Sequence, residues 1–390
     1  MLPTPSITHA CLSCRTAARS TANLYLLGIG SSTRPFNSSS LVASHENPLG
    51  LPRNNDRRPP QMPRRSRGGV PEKRSIPYVK KVLAVSSGKG GVGKSTISAN
   101  LALALAQTAS VSCPSSISPP PRKPRIGLLD LDIFGPSVPK LMGLEDVGEP
   151  ELTQDGALIP LTNHGIPCMS MGFLLPPASS GSNADIPIVW RGMMVMKATQ
   201  QLLFDVDWRR GASPSSSSSA GTTTEQDDWL DVLVIDMPPG TGDVALSLGQ
   251  LVKVDGAVIV STPQQVALVD ARKGVSMFDK VNVPITGMVL NMSHFVSPDT
   301  GRTFHLFGPS QPFESYAEQR NVPILGRIPL QPDVSVGGDK GLPTVLRPTI
   351  HVDILDPNNT AASSTTSQET DNLARNEFLQ IATQCWRSLV

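Results

Sequence analysis

The chain reads as an α/β protein with a mostly parallel sheet flanked by helices, on three observations. Gly88-Lys89-Gly90-Gly91-Val92-Gly93-Lys94-Ser95 lies between an apolar strand-like run and an Ala/Leu-rich helical stretch. Two more apolar runs, Leu128-Leu129 and Val232-Leu233-Val234-Ile235, end in carboxylates, Asp130 and Asp236. Short apolar runs alternate with helical patterns across about residues 76–350, the signature of βα units.

Taken in order, strands are expected at 81–86, 125–130, 166–171, 231–236, 256–261, 285–290 and 323–327. Each is a short, nearly continuous apolar run, as strands covered on both faces require. Helices are expected at 94–108, 192–205, 243–252, 265–280 and 373–388. Two stretches break the alternation: Ser/Pro-rich 109–124, and the Ser/Thr run 211–228, which ends in acids. Neither can build a core, so both read as insertions on the surface. Residues 351–390 read as a linker and a C-terminal amphipathic helix. No internal repeat is present.

Charge divides the chain. Residues 1–75 hold eleven Lys/Arg against Glu46, Asp56 and Glu72, leaving 23 basic and 29 acidic side chains in the remainder. That remainder carries no basic footprint for nucleic acid. The Arg-, Ser- and Pro-rich start, acid-free before Glu46, reads as a mitochondrial transit peptide and disordered linker, which makes the matrix the expected location and the cytoplasm the alternative. The apolar run Leu24–Ile29 is too short to span a membrane, and no transmembrane segment is expected. Five cysteines, Cys11, Cys14, Cys113, Cys168 and Cys385, are too sparse for a disulfide framework. Cys11 and Cys14 form a C-x-x-C pair without a second pair at zinc spacing.

The glycine-rich segment fits a phosphate-binding loop, whose backbone N–H groups wrap an anion at a helix N-terminus. Gly88, Lys89, Gly90, Gly91, Val92, Gly93, Lys94, Ser95 and Thr96 are the nucleotide-binding candidates, with Lys94 on the β/γ-phosphates and the Ser95 hydroxyl on Mg²⁺. Asp236 is the natural Walker B acid, Asp130 a second, outer-sphere Mg²⁺ ligand, and Asp132 a residue to orient the attacking water. Gly240-Thr241-Gly242 can sense the γ-phosphate through its backbone. ATP and Mg²⁺ are therefore the expected ligands, and no G-x-G-x-x-G fingerprint supports a dehydrogenase.

Three segments together resemble the Mrp family of MinD-like P-loop NTPases, whose phosphate loop is the deviant Walker A type with an extra lysine. They are Ser87–Thr96, Leu129–Pro139 (LDLDIFGPSVP) and Ile235–Asp243 (IDMPPGTGD). Cys168–Phe173, Trp190-Arg191-Gly192, Ser261–Gln264 and Asn291-Met292-Ser293 extend the match over nearly all of residues 76–350 outside the insertions. With the N-terminal extension, the nearest branch is that of the mitochondrial nucleotide-binding-protein-like carriers. The resemblance implies a homodimeric, ATP-hydrolysing iron–sulfur carrier that serves apo iron–sulfur proteins or assembly factors, with assembly of respiratory complex I as its setting. It implies that Lys89 reaches the partner's nucleotide, that Lys89, Lys94 and Asp132 serve catalysis, and that Gly242 and Asn291 contact nucleotide, Asn291 at the adenine. It also implies a [4Fe–4S] cluster bridged by a C-x-x-C from each subunit. Here Ser297 and Thr300 stand at those two positions, while Phe304-His305-Leu306-Phe307-Gly308 keeps the flanking pattern. Hydroxyls are poor ligands for soft iron. His294, Asp299 and His305 are the neighbouring groups able to ligate. A cluster-free, ATP-switched adaptor is the alternative reading. A MinD- or ParA-type positioning ATPase would need a basic or membrane-binding face, which the tail, with Arg375 and Arg387 alone, does not supply.

Overall fold

Near-continuous apolar runs pair side by side in the computed structural model, which describes residues 73–108, 122–133, 135–174, 192–209, 228–347 and 373–390. The strands are β1 (Val79–Ser87), β2 (Ile126–Asp130), β3 (Leu161–Asn163), β4 (Ile166–Ser170), β5 (Leu230–Asp236), β6 (Gly256–Ser261), β7 (Ile285–Leu290), β8 (Phe295–Val296), β9 (Thr303–Phe304) and β10 (Ile324–Arg327). The helices are α1 (Lys94–Thr108), α2 (Val138–Leu141), α3 (Gly192–Phe204), α4 (Asp243–Leu251), α5 (Gln265–Lys280), α6 (Gln311–Gln319), α7 (Pro332–Asp339) and α8 (Leu373–Leu389). Among the described residues, eight strands form one sheet in the order β10-β7-β6-β1-β5-β2-β4-β3, parallel throughout except for β3 against β4. Every residue of β2, β5 and β6 is buried, as a sheet covered on both faces demands.

The expected strands and helices appear at the expected places, most of them within a residue or two. Short elements were not foreseen: α2, α6, α7, β3 and the β8–β9 hairpin. α6 and α7 each carry a proline at the start, and α7 contains Gly337-Gly338, so their periodicity is weak. The readings of Cys11, Cys14, Cys113, Trp190-Arg191 and nearly all of 1–75, 109–124, 211–228 and 351–372 lie outside the described residues. Among the described residues, no helix is long and apolar enough to cross a membrane.

The strand register positions the carboxylates. β5 lies between β1 and β2, with Val85 and Asp130 both level with Asp236. Two aspartates 106 positions apart in sequence thus become neighbours at the C-terminal edge of the sheet, where α/β folds bind ligands.

The last helix is part of this core. α8 buries Ala374, Phe378, Ile381, Ala382, Cys385 and Leu389, one stripe at helical spacing, and packs along α1. α1 is consequently covered on two sides, which explains its buried run from Ile97 to Leu105. α8 also satisfies the edge strand β10. Glu377 Oε2 accepts from the Arg327 N–H at 3.0 Å, and Gln384 Nε2 donates to the Leu325 carbonyl at 3.1 Å. Phe378 is 1% exposed, so Phe378→Ala is expected to cost about 3–5 kcal/mol of stability, measurable as a lowered urea midpoint.

Candidate functional site

β1 ends at Ser87 and α1 begins at Lys94, so Gly88–Gly93 forms the whole connection. Gly93 takes φ +81°, in the left-handed region, and a Cβ there would strike the Asn291 side chain. Asn291 Nδ2 donates to the Val92 carbonyl at 2.8 Å, so the residue after β7 braces the loop from behind. Ser87 Oγ donates to the Lys89 carbonyl at 3.0 Å.

Lys94, the first residue of α1, is only 6% exposed, and its Nζ lies 2.8 Å from Asp236 Oδ1 and 3.3 Å from Ser95 Oγ. Asp236 is fully buried. Ser98, one turn along α1, donates its hydroxyl to Asp236 Oδ1 at 2.7 Å. Asp236 Oδ2 is buried with no hydrogen-bond partner. Asp130 is also fully buried. Its Oδ1 accepts from the Asp132 N–H at 2.9 Å, and its Oδ2 accepts from Ser170 Oγ at 3.1 Å and the Val138 N–H at 3.3 Å. Ser98 and Ser170 were not singled out from sequence. Ser98 had one local signal, its position four residues after Lys94 on the same helix face.

A cleft of about 450 Å³ opens over these groups. Its walls include Lys89, Gly90, Gly91, Gly93, Lys94, Ser95, Thr96 and Asp132. Gly88, Val92, Asp130, Asp236, Gly242 and Asn291 stand outside that lining, Asp130 and Asp236 fully buried and Gly242 as the N-cap of α4. α2 and α7 supply the opposite wall, where Lys140 Nζ lies 3.6 Å from Asp339 Oδ1 across the rim.

The electrostatics is unbalanced. Two buried carboxylates on adjacent strands share one buried lysine, and one carboxylate oxygen has no partner. Burial, then the charge of Asp236, pushes the Asp130 carboxyl up to about 7. An all-oxygen set of Asp130, Asp236 and the Ser95 hydroxyl suits a hard cation such as Mg²⁺. Such an ion, when bound, would neutralise charge on a bound polyphosphate.

A buried carboxyl with an elevated pKa favours the folded state while protonated, and that contribution is lost as pH rises from about 4 through about 7. A cation held beside Asp130 would favour its ionised form, so binding below about pH 7 would release the Asp130 proton. At about pH 6, Mg²⁺·ADP binding is expected to release roughly one more proton in the wild type than in Asp130→Asn, with the difference gone near pH 8. Calorimetry in buffers of different ionisation enthalpy measures this directly.

Ser297 and Thr300 lie in the loop joining β8 and β9. The Ser297 N–H donates to the Arg302 carbonyl at 3.0 Å, and the Ser297 carbonyl accepts from the Gly301 N–H at 2.8 Å. Thr300 is exposed. Among the described residues, no group of three or more His, Cys, Asp or Glu is arranged to hold a metal ion. The two described thiols, Cys168 and Cys385, are buried, and burial pushes Cys385 up to about 12. Neither offers a thiolate to iron.

Comparison with known proteins agrees with this geometry. Residues 78–211 and 217–356 match the family described as ParA, NUBPL iron-transfer P-loop NTPase. The iron-sulfur cluster transfer protein NUBPL of Mus musculus is 44% identical over 277 residues, 71% of this chain and 74% of that protein. The iron-sulfur protein required for NADH dehydrogenase, mitochondrial, of Arabidopsis thaliana is 42% identical over 281 residues, 72% of this chain and 76% of that protein. Among solved structures, a nucleotide-binding protein in complex with ADP from Archaeoglobus fulgidus is 30% identical. That match covers 68% of this chain and 87% of the other, with a TM-score of 0.50.

Proposed function

Since this chain belongs to the ParA family of P-loop NTPases, in the group described as NUBPL iron-transfer P-loop NTPases, we propose that it is an ATP-hydrolysing iron–sulfur cluster carrier. The observation that carries the nucleotide half is the convergence of Lys94, Ser95, Asp130 and Asp236 beneath one cleft at the C-terminal edge of β1, β2 and β5. The cargo half rests on the relatives. Those from Mus musculus and Arabidopsis thaliana are described by iron–sulfur transfer and by a requirement for NADH dehydrogenase. Their descriptions favour a carrier over a cluster-free adaptor. The mitochondrial description of the Arabidopsis relative supports the matrix as the site of action and complex I assembly as the setting.

In this reading, residues 1–75 are the transit segment and linker, and 76–350 the ATPase domain with insertions at 109–124 and 211–228. Residues 351–390 are a linker and the C-terminal helix. The loop N–H groups and Lys94 hold the β/γ-phosphates. Ser95, Asp130 and Asp236 hold Mg²⁺ directly or through its waters, and Asp132 orients the attacking water. Thr96 and Gly242 meet the nucleotide, and Asn291 stands beside the adenine while bracing the loop. Lys89, exposed at the cleft, reaches the partner's nucleotide in a homodimer. Ser297 and Thr300 stand at the family's cluster positions, where hydroxyls in place of thiolates weaken any hold on a cluster.

The test is cluster transfer. The full chain, loaded anaerobically with iron and sulfide, is mixed with an apo ferredoxin-type acceptor with and without Mg²⁺·ATP. Faster acceptor maturation than from free iron and sulfide, altered by ATP, is expected. An acceptor rate equal to the protein-free control would overturn the carrier reading.

A further inference from the structure

The β8–β9 hairpin brings together two histidines eleven residues apart. His294 immediately precedes β8, and His305 immediately follows β9. Their ring centroids are 6.5 Å apart, with the planes tilted by 56°. Both rings rest on one residue, Ser293. Ser293 Oγ lies 2.8 Å from His294 Nδ1, and the Ser293 carbonyl lies 3.3 Å from His305 Nδ1.

Ser293 is itself pinned. Its N–H and its hydroxyl both meet the Ile328 carbonyl at 3.0 Å. The next residue's carbonyl accepts from the Leu330 N–H at 2.7 Å. The Ser293 carbonyl can only accept, so a neutral His305 ring carries its proton on Nδ1 and keeps a lone pair on Nε2. When the Ser293 hydroxyl donates to Ile328 it accepts from His294 Nδ1, and Nε2 of that ring is then a base as well. Hydrogen bonding at one ring nitrogen to fix the other as a base is how proteins prepare imidazole for a metal. Burial, with the neighbouring His305, holds His294 below the ordinary histidine value. The carboxylate that His294 feels is Glu377 of α8, a charge that favours a cation nearby.

We propose that His294 and His305 form a binding site for one divalent transition-metal ion, separate from the nucleotide site and from any cluster at Ser297 and Thr300. Imidazole suits Zn²⁺ and its borderline neighbours. With metal–nitrogen bonds of about 2.1 Å, two rings on a tetrahedral ion place their centroids about 5.3 Å apart. The observed 6.5 Å is wider by about 1 Å, so the rings must close by about that much to share an ion. His305 is the exposed member, and its longer 3.3 Å contact with the Ser293 carbonyl makes it the ring that shifts inward. Water, or the same pair on a second copy, completes the coordination.

The experiment uses Zn²⁺ with the untagged full chain, in excess Mg²⁺ so that the nucleotide site is occupied. Competition against a chromogenic chelator is expected to show about one Zn²⁺ per chain at micromolar affinity, or one per two chains if two copies share it. His305→Ala and His294→Gln are each expected to weaken binding at least ~30-fold. X-ray absorption of the loaded protein should carry imidazole scattering, and nucleotide affinity should not change in His305→Ala. His305 is exposed, so its variant tests the site even if His294→Gln fails to fold. Absence of stoichiometric Zn²⁺ binding, or binding that persists in His305→Ala, would overturn the assignment.

Discussion

Lys94→Ala is expected to remove stable ATP binding and to lower the stability of the nucleotide-free protein. The affinity loss should be roughly 10²–10³-fold, taking as a guide the rate loss when one preorganised donor to a developing anion is deleted. The stability loss comes from the other end of the same side chain. Lys94 Nζ pairs at 2.8 Å with an Asp236 that is fully buried. Removing the lysine leaves a buried carboxylate held by Ser98 alone, and breaking such a pair from one side costs about 3–5 kcal/mol. The double variant Lys94→Ala/Asp236→Asn separates the two effects. It should recover much of the melting temperature without recovering nucleotide. Equilibrium binding of a fluorescent ATP analogue and thermal denaturation read the two quantities independently. ATP affinity within a few-fold of wild type would remove Lys94 from the phosphate site.

The second large effect is expected at the hairpin. Anaerobic reconstitution of Ser297→Cys/Thr300→Cys, followed by desalting, should retain about four iron and four sulfide per dimer, the content of one bridging [4Fe–4S] cluster. The wild type should retain several-fold less. The reason is ligand chemistry. A thiolate is available near neutral pH and is soft, whereas a hydroxyl is neither. Geometry favours the substitution, because both positions lie in one loop closed by bonds between Ser297 and the Arg302 and Gly301 backbones. Full iron retention by the wild type would mean that another ligand set carries the cargo. Equal and low retention in both proteins would mean that the hairpin is not where a cluster binds.

Some features were legible because they are local. The loop's glycines and lysines are contiguous, so Gly88–Ser95 could be recognised without any long-range contact. The strands β1, β2, β5, β6 and β7 announce themselves as short apolar runs, since a parallel sheet buries both faces. The carboxylates at the ends of β2 and β5 were visible for the same reason. Asn291 was legible as a position but not as a contact, because its bond to Val92 spans 199 residues. Short elements such as α7, with two glycines and a proline, carry too little periodicity to be read.

The amino-acid sequence alone determined the fold class, the phosphate loop and the identity of the acids, through patterns that repeat within a few residues. Only the tertiary structure decided how those parts meet. Insertion of β5 between β1 and β2 makes Asp130 and Asp236 neighbours and pushes the Asp130 carboxyl up to about 7. Docking of α8 on α1 and β10 closes the core, and the pinning of Ser293 against Ile328 sets the two imidazoles on one base. These are matters of strand order and long-range packing. The free energy that selects them comes from burying surfaces distant in the chain, and no local pattern records which surfaces will face each other.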